Sequence, residues 1–162
     1  GEILPLEITK CFKKGVKFKI YQQCLEDQIP EIEKLYKQSN INFQLFSFSK
    51  NMLEYYKKSD VAITRSGASS LAELTNLRIP FIAIPLPSSA DNHQFINAKY
   101  FEKKGYCFLL EEKFISDKLN KILIDLYNNE KKLQSIKDKM TEHSDKNIFM
   151  KIEKLIKRIL NE

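Results

Sequence analysis

Residues 59–77 read Ser59-Asp60-Val61-Ala62-Ile63-Thr64-Arg65-Ser66-Gly67-Ala68-Ser69-Ser70-Leu71-Ala72-Glu73-Leu74-Thr75-Asn76-Leu77, and this order of residue types decides the fold. The short apolar run Val61-Ala62-Ile63 reads as a buried strand, and Leu71, Leu74 and Leu77 fall on one face of a helix. A turn of small residues joins the two, with Gly67 expected to let the backbone bend tightly. The first N–H groups of such a helix have no intrahelical partner, and the positive end of the helix dipole lies beside them. Together they form a seat for a phosphate. Nucleotide binding is therefore the first functional expectation.

Four further segments, 17–21, 43–46, 81–84 and 106–110, also read as short strands, making five with 61–63. Helical patterns of crossover length lie between them. Pro30 sits where a first-turn proline belongs, with Ile32, Leu35 and Tyr36 following at helical spacing. Met52, Tyr55 and Tyr56 mark a short helix. Phe95, Ala98 and Phe101 mark another, which Gly105 closes in a left-handed conformation. This alternation predicts an α/β fold: a Rossmann-like parallel sheet with helices on both faces. Residues 1–8 read as a helix already under way, so the usual first strand and its glycine-rich turn are expected to be missing. Terminal helices are expected over 116–128, with Ser116 as N-cap, and over 147–161. The whole of 1–162 is read as a single lobe.

A chain of 162 residues with 43% hydrophobic residues can bury a core, which excludes a disordered tail. Its longest apolar run, residues 79–86, suits a strand and is too short to span a bilayer. No secretion signal opens the sequence, which points to the cytoplasm. The three cysteines, Cys11, Cys24 and Cys107, are widely spaced and read as reduced thiols. The net charge of +6 comes mostly from lysine, since Arg65, Arg78 and Arg158 are the only arginines. The basic stretches lack RNA-binding signatures and a recognition helix, so nucleic acid is not an expected partner. Solvated helix faces explain the lysines, and attraction to an anionic membrane surface is the second explanation.

Open α/β sheets bind ligands at the carboxyl ends of their strands. Segment 61–63 delivers Arg65, Ser66, Gly67, Ala68, Ser69, Ser70 and Glu73 to that edge. Segment 81–84 delivers Asp91, Asn92, His93 and Gln94, and segment 43–46 delivers Phe48 and Ser49. Glu73 has two readings. Ser70-Leu71-Ala72-Glu73 fits a capping box, and a carboxylate there also suits a ribose diol. Arg65 could hold a phosphate or pair with a surface acid. His93 without a partner reads as a hydrogen-bonding residue, and Asp91 as the N-cap of the next helix. Gln94 offers a donor and an acceptor to sugar hydroxyls. No two His or Cys residues share a local metal-ligand spacing, so no metal is expected.

Residues 59–74, then Ile79-Pro80-Phe81-Ile82-Ala83-Ile84-Pro85-Leu86-Pro87 and Asp91-Asn92-His93-Gln94-Phe95-Ile96-Asn97-Ala98, resemble the donor-site segments of the MurG family. These bacterial enzymes are the undecaprenyldiphospho-muramoylpentapeptide β-N-acetylglucosaminyltransferases, which form lipid II. The resemblance runs at lower density from about Lys17 to the C-terminus. It implies the C-terminal half of a two-lobed glycosyltransferase-B fold that transfers N-acetylglucosamine from UDP-N-acetylglucosamine to lipid I, with inversion and without a metal or cofactor. By position it places residues 68–73 along UDP, Glu73 on the ribose, Gln94 and His93 beside the sugar, and the backbone at Ser49 on the uracil. It also implies a location on the inner face of the cell membrane. The acceptor lobe, which would carry the catalytic base, is not in this chain, so no catalytic residue is assigned. The family's Gly-Gly-Ser-Gln-Gly-Ala loop would precede Gly1, and Tyr21-Gln22-Gln23-Cys24 lacks the glycine the family shows there. Two other UDP-sugar readings remain: the donor-binding subunit of a split lipid-linked N-acetylglucosaminyltransferase, and a UDP-N-acetylglucosamine 2-epimerase-like lobe. A non-catalytic interaction module is the rival from another class.

Overall fold

The computed structural model describes residues 3–141. The elements run α1 (Ile3–Lys13), β1 (Lys19–Gln23), α2 (Ile29–Gln38), β2 (Asn42–Phe46), α3 (Met52–Tyr56), β3 (Ala62–Arg65), α4 (Ala68–Asn76), β4 (Phe81–Ile84), α5 (His93–Lys103), β5 (Cys107–Leu109), α6 (Ile115–Asn128) and α7 (Glu130–Thr141). Every strand pair is parallel, as helical crossovers require. β1 pairs with β2, and β3, β4 and β5 form a three-stranded sheet in that order. The α/β alternation read from the sequence is therefore present, with the strands hydrogen-bonded as a pair and a triplet. The chain divides into two compact units, and each is described by itself.

The first unit takes in the described residues up to Lys58 together with Leu110–Glu130. Ile8, Cys11, Val16, Ile32, Tyr36, Leu119 and Leu126 form its core. Glu7 is buried between α1 and α6, where Lys10 Nζ lies 2.6 Å and Asn120 Nδ2 2.7 Å from its carboxylate. A buried carboxylate needs such partners. Strand β1 lies two residues later than the expected 17–21. The Phe12–Phe18 ring pair, with Lys17 over Phe12, holds 17–18 in the connection. The polar end of β1 is satisfied instead: Gln22 Oε1 accepts from Tyr36 Oη at 2.7 Å, and Gln23 Nε2 donates to Ser47 O at 3.0 Å. The short helix α3 stacks Tyr55 on Phe46, with ring centroids 4.4 Å apart.

In the second unit, Ser59–Leu109 with the residues from Lys131 onward, β4 is buried along its whole length. A central parallel strand must be covered on both faces, and Phe81-Ile82-Ala83-Ile84 is apolar throughout. Leu71, Leu74, Ala98 and Phe101 bury side chains from α4 and α5. Helices α2, α4 and α5 end alike. Asn40 (φ 53°), Arg78 (φ 55°) and Gly105 (φ 74°) are left-handed. The next N–H returns to the helix in each case: Ile41 to Tyr36 O, Ile79 to Leu74 O, and Tyr106 to Phe101 O. This closure satisfies a carbonyl and points the chain into the following strand. Gly105 thus fills the expected role.

Two expected caps are corrected. Helix α6 begins at Ile115, with Phe114 in the cap position and no side-chain cap bond, because the 3-10 turn Glu112–Phe114 leads directly into it. Ser116 is therefore inside the helix. Asn92 (φ 54°), not Asp91, holds the cap position of α5. Helix α7 places Ile136 and Met140 inside and its lysines outward of that stripe, so the run from Lys131 to Lys139 belongs to an amphipathic helix. The expected helix over 147–161 lies outside the described residues.

Candidate functional site

The strand β3 extends to Arg65, which pairs in register with Ile84 of β4. Only Ser66 and Gly67 separate it from α4. Gly67 occupies the N-cap position at φ −66°, ψ 135°, an ordinary extended conformation. The expected need for glycine as a tight-turn residue is therefore corrected: any L-residue could adopt this backbone. A Cβ at Gly67 would meet only Ser70 Oγ, at 3.9 Å. What glycine provides here is open space in front of the helix.

That helix start is bare. The first helical bond runs from Leu71 N–H to Gly67 O at 3.1 Å, and among the described residues the cap position, a glycine, brings no side-chain bond to the first turn of Ala68, Ser69 and Ser70. Ala68 and Ser69 are exposed. The capping-box reading of Ser70 and Glu73 is overturned, because the cap position falls at Gly67 and Ser70 is already in the first turn. Glu73 is exposed on α4, and Leu71 is buried beneath it. Ser66 is buried, and its Oγ has no hydrogen-bond partner among the described residues.

The second loop is tied down. After β4 the chain passes through Pro85, Leu86 and Pro87 and the 3-10 turn Ala90–Asn92, where Asp91 (φ 46°) and Asn92 (φ 54°) are both left-handed. Asp and Asn are the residue types that tolerate this region best. The turn brings Gln94 back across the sheet. Its Oε1 accepts from Ser66 N–H at 3.2 Å and from Leu86 N–H at 3.0 Å. Asn97, one turn on, donates from Nδ2 to Ser66 O at 3.2 Å. Arg65 Nη1 reaches Pro85 O at 3.4 Å. His93 is exposed with Nδ1 2.7 Å from Ala90 O, a contact in which Nδ1 is the donor because a carbonyl oxygen only accepts.

The second unit thus gathers residues 65–73, His93 and Gln94 around the ends of β3 and β4. Ser49 belongs to the first unit, where its Oγ accepts from Asn51 N–H at 3.1 Å in the turn before α3. The sequence reading passed over Asn97. Its signal was the spacing of three from Gln94, which places both side chains on one face of a helix. Among the described residues there is no group of three His, Cys, Asp or Glu side chains that could hold a metal, and no helix long and apolar enough to cross a membrane.

Comparison with known proteins gives a consistent result. The profile of the family described as "Glycosyltransferase family 28 C-terminal domain" matches residues 3–156. A protein of Pelagibacter ubique (strain HTCC1062) is 41% identical over 144 residues, covering 86% of this chain and 40% of that protein. One of Rickettsia akari (strain Hartford) is 42% identical over 137 residues, covering 83% of this chain and 36% of that protein. Both are named "UDP-N-acetylglucosamine--N-acetylmuramyl-(pentapeptide) pyrophosphoryl-undecaprenol N-acetylglucosamine transferase". The crystal structure of Acinetobacter baumannii MurG superposes with a TM-score of 0.76 at 24% identity, over 89% of this chain and 42% of that one. The chain spans about two-fifths of the length of the curated relatives it matches.

Proposed function

The chain belongs to the glycosyltransferase family 28 C-terminal domain family, and from that premise we propose that it is the donor-binding part of an inverting N-acetylglucosaminyltransferase. The complete enzyme would move N-acetylglucosamine from UDP-N-acetylglucosamine to lipid I and so form lipid II. The relatives named for this transfer support the reading. The observation that carries it is the open start of α4: a glycine in the cap position, so that among the described residues no cap side chain stands in front of the amides of Ala68, Ser69 and Ser70 at the positive end of the helix dipole.

In the reaction an acceptor hydroxyl attacks the anomeric carbon, the bond to the diphosphate breaks, and UDP leaves with added negative charge. The α4 amides and dipole would receive that charge as fixed donors that need no reorganisation, which makes a bound cation unnecessary. Donors of this kind are worth ~3–4 kcal/mol of barrier apiece in other enzymes. Glu73, one turn into α4 and exposed, would accept hydrogen bonds from the ribose hydroxyls. Gln94 and His93 would face the sugar. The base that takes the acceptor proton would come from the acceptor lobe, so this chain alone would bind donor and transfer nothing. A polyprenyl-linked acceptor requires work at a bilayer surface, which makes the complete enzyme a peripheral protein on the inner face of the membrane.

Isothermal titration with UDP tests the reading. Wild type is expected to bind saturably, and Glu73→Ala to fold with unchanged stability yet bind about tenfold more weakly, the loss of one charge-assisted hydrogen bond. A wild-type chain that is folded and silent to UDP would overturn the assignment.

A further inference from the structure

The side chain of Gln94 is already spent on the protein's own backbone before any ligand arrives. Its Oε1 accepts two N–H groups from different strand ends, Ser66 after β3 and Leu86 after β4. These two donors also fix which way the amide points, because a flipped Nε2 would face two N–H groups. Asn97, on the same face of α5, takes the carbonyl of that same Ser66. Both peptide groups flanking the Ser66 Cα are therefore pinned by one helix. Ser66 is buried and immediately precedes Gly67, the cap residue of α4. The two consecutive left-handed residues, Asp91 and Asn92, turn α5 so that its first two turns reach this point. Strained backbone of this kind persists where surrounding bonds hold it.

We propose that Gln94 and Asn97 are positioning residues: through the N–H and C=O of Ser66 they fix the direction in which the α4 amides face the diphosphate. The inference rests on the donor-site reading above and deepens it. It also limits what Gln94 presents to a ligand. With Oε1 occupied, its outward contribution is the Nε2 donor pair, which selects an acceptor oxygen on the sugar or diphosphate.

The test uses the full 162-residue chain, amide-resolved hydrogen exchange, and titration with UDP, a probe that lacks the sugar. Gln94→Met, similar in length, removes the acceptor, and Asn97→Ala removes the donor. Gln94→Glu keeps an oxygen for both N–H groups while deleting the Nε2 donor. Gln94→Met is expected to speed exchange at Ser66 and Leu86 about tenfold and to weaken UDP about tenfold, the size of one lost hydrogen bond. Asn97→Ala weakens UDP similarly, and Gln94→Glu retains wild-type protection at both amides. Residues that served only as sugar contacts would leave UDP affinity untouched. Unchanged exchange in Gln94→Met, or faster exchange with undiminished UDP binding, overturns the proposal. Wild-type failure to bind UDP overturns the donor-site reading instead, while the exchange measurements still report on the Ser66 clamp.

Discussion

The β3–α4 junction passes from strand to helix in two residues, Ser66 and Gly67, whereas the β4–α5 junction takes eight, residues 85–92. The first has no 3-10 turn, no left-handed residue and no side-chain cap. The second has prolines, a 3-10 turn, two left-handed residues and side-chain bonds from His93 and Gln94. They leave neighbouring strands of one parallel sheet. The difference teaches how two neighbouring strand ends can be finished differently: one helix starts behind a glycine with no cap side chain, and the other sends Gln94 and Asn97 back to the backbone of Ser66 beside it. An open helix start is useful only if its amides point in a fixed direction.

The comparison breaks most completely if the strand between the two junctions' helices is hollowed out. Phe81 is fully buried at the start of β4, and Phe81→Ala should cost ~3–5 kcal/mol of stability in urea denaturation. Both junctions would then be lost together. A smaller loss would mean that the sheet is not their common support.

Alkaline pH should loosen the clamped side. Cys107 is buried under α5, with its Sγ 3.7 Å from Ala98 O. Burial, and then the nearby Glu102 carboxylate, push its thiol from 9.0 up to about 12. The folded state therefore keeps a proton that the unfolded chain gives up above pH 9. Stability is fully present below that pH and falls, by up to ~1.4 kcal/mol per pH unit, as pH rises toward 12. Urea midpoints at pH 8 and pH 10 should differ, and Cys107→Ala should narrow the gap. An equal gap in both proteins would remove Cys107 from the account.

Filling the open side should separate binding from folding. Gly67→Val places a side chain where only Ser70 Oγ stands nearby, on a backbone that suits any residue. Stability should fall by no more than ~1 kcal/mol, the cost of a poorer N-cap. UDP affinity should fall at least ~10-fold. Unaltered binding would mean that the ligand does not approach α4 end-on.

The far end of α4 supplies the smallest change and the control. Arg78 is left-handed at φ 55°. Relief of the ~1–2 kcal/mol penalty, less ~0.5–1 kcal/mol for the entropy of an added glycine, gives Arg78→Gly a gain of about 1 kcal/mol. Its UDP affinity should match wild type. A change in affinity would show that the start of α4 responds to its other end.

The open junction was legible in the sequence because local chemistry decides it: Leu71 and Leu74 face inward at helical spacing, and small residues precede them. Its reason was misread, since Gly67 does not need a glycine backbone. The clamped junction was legible only as a polar run. Whether Gln94 faces a ligand or Ser66 depends on a pairing across 28 residues, which no local pattern carries. The displaced β1 failed for the same reason. Gln22 and Gln23 look too polar for a strand until Tyr36 and Ser47 are brought beside them.

The most direct test of the central claim is a nitrogen–proton correlation spectrum of the chain titrated with UDP. A diphosphate seated on α4 should move the amide signals of Ala68, Ser69 and Ser70 most, in step with a single saturating isotherm. Saturable shifts that spare those three amides would contradict it.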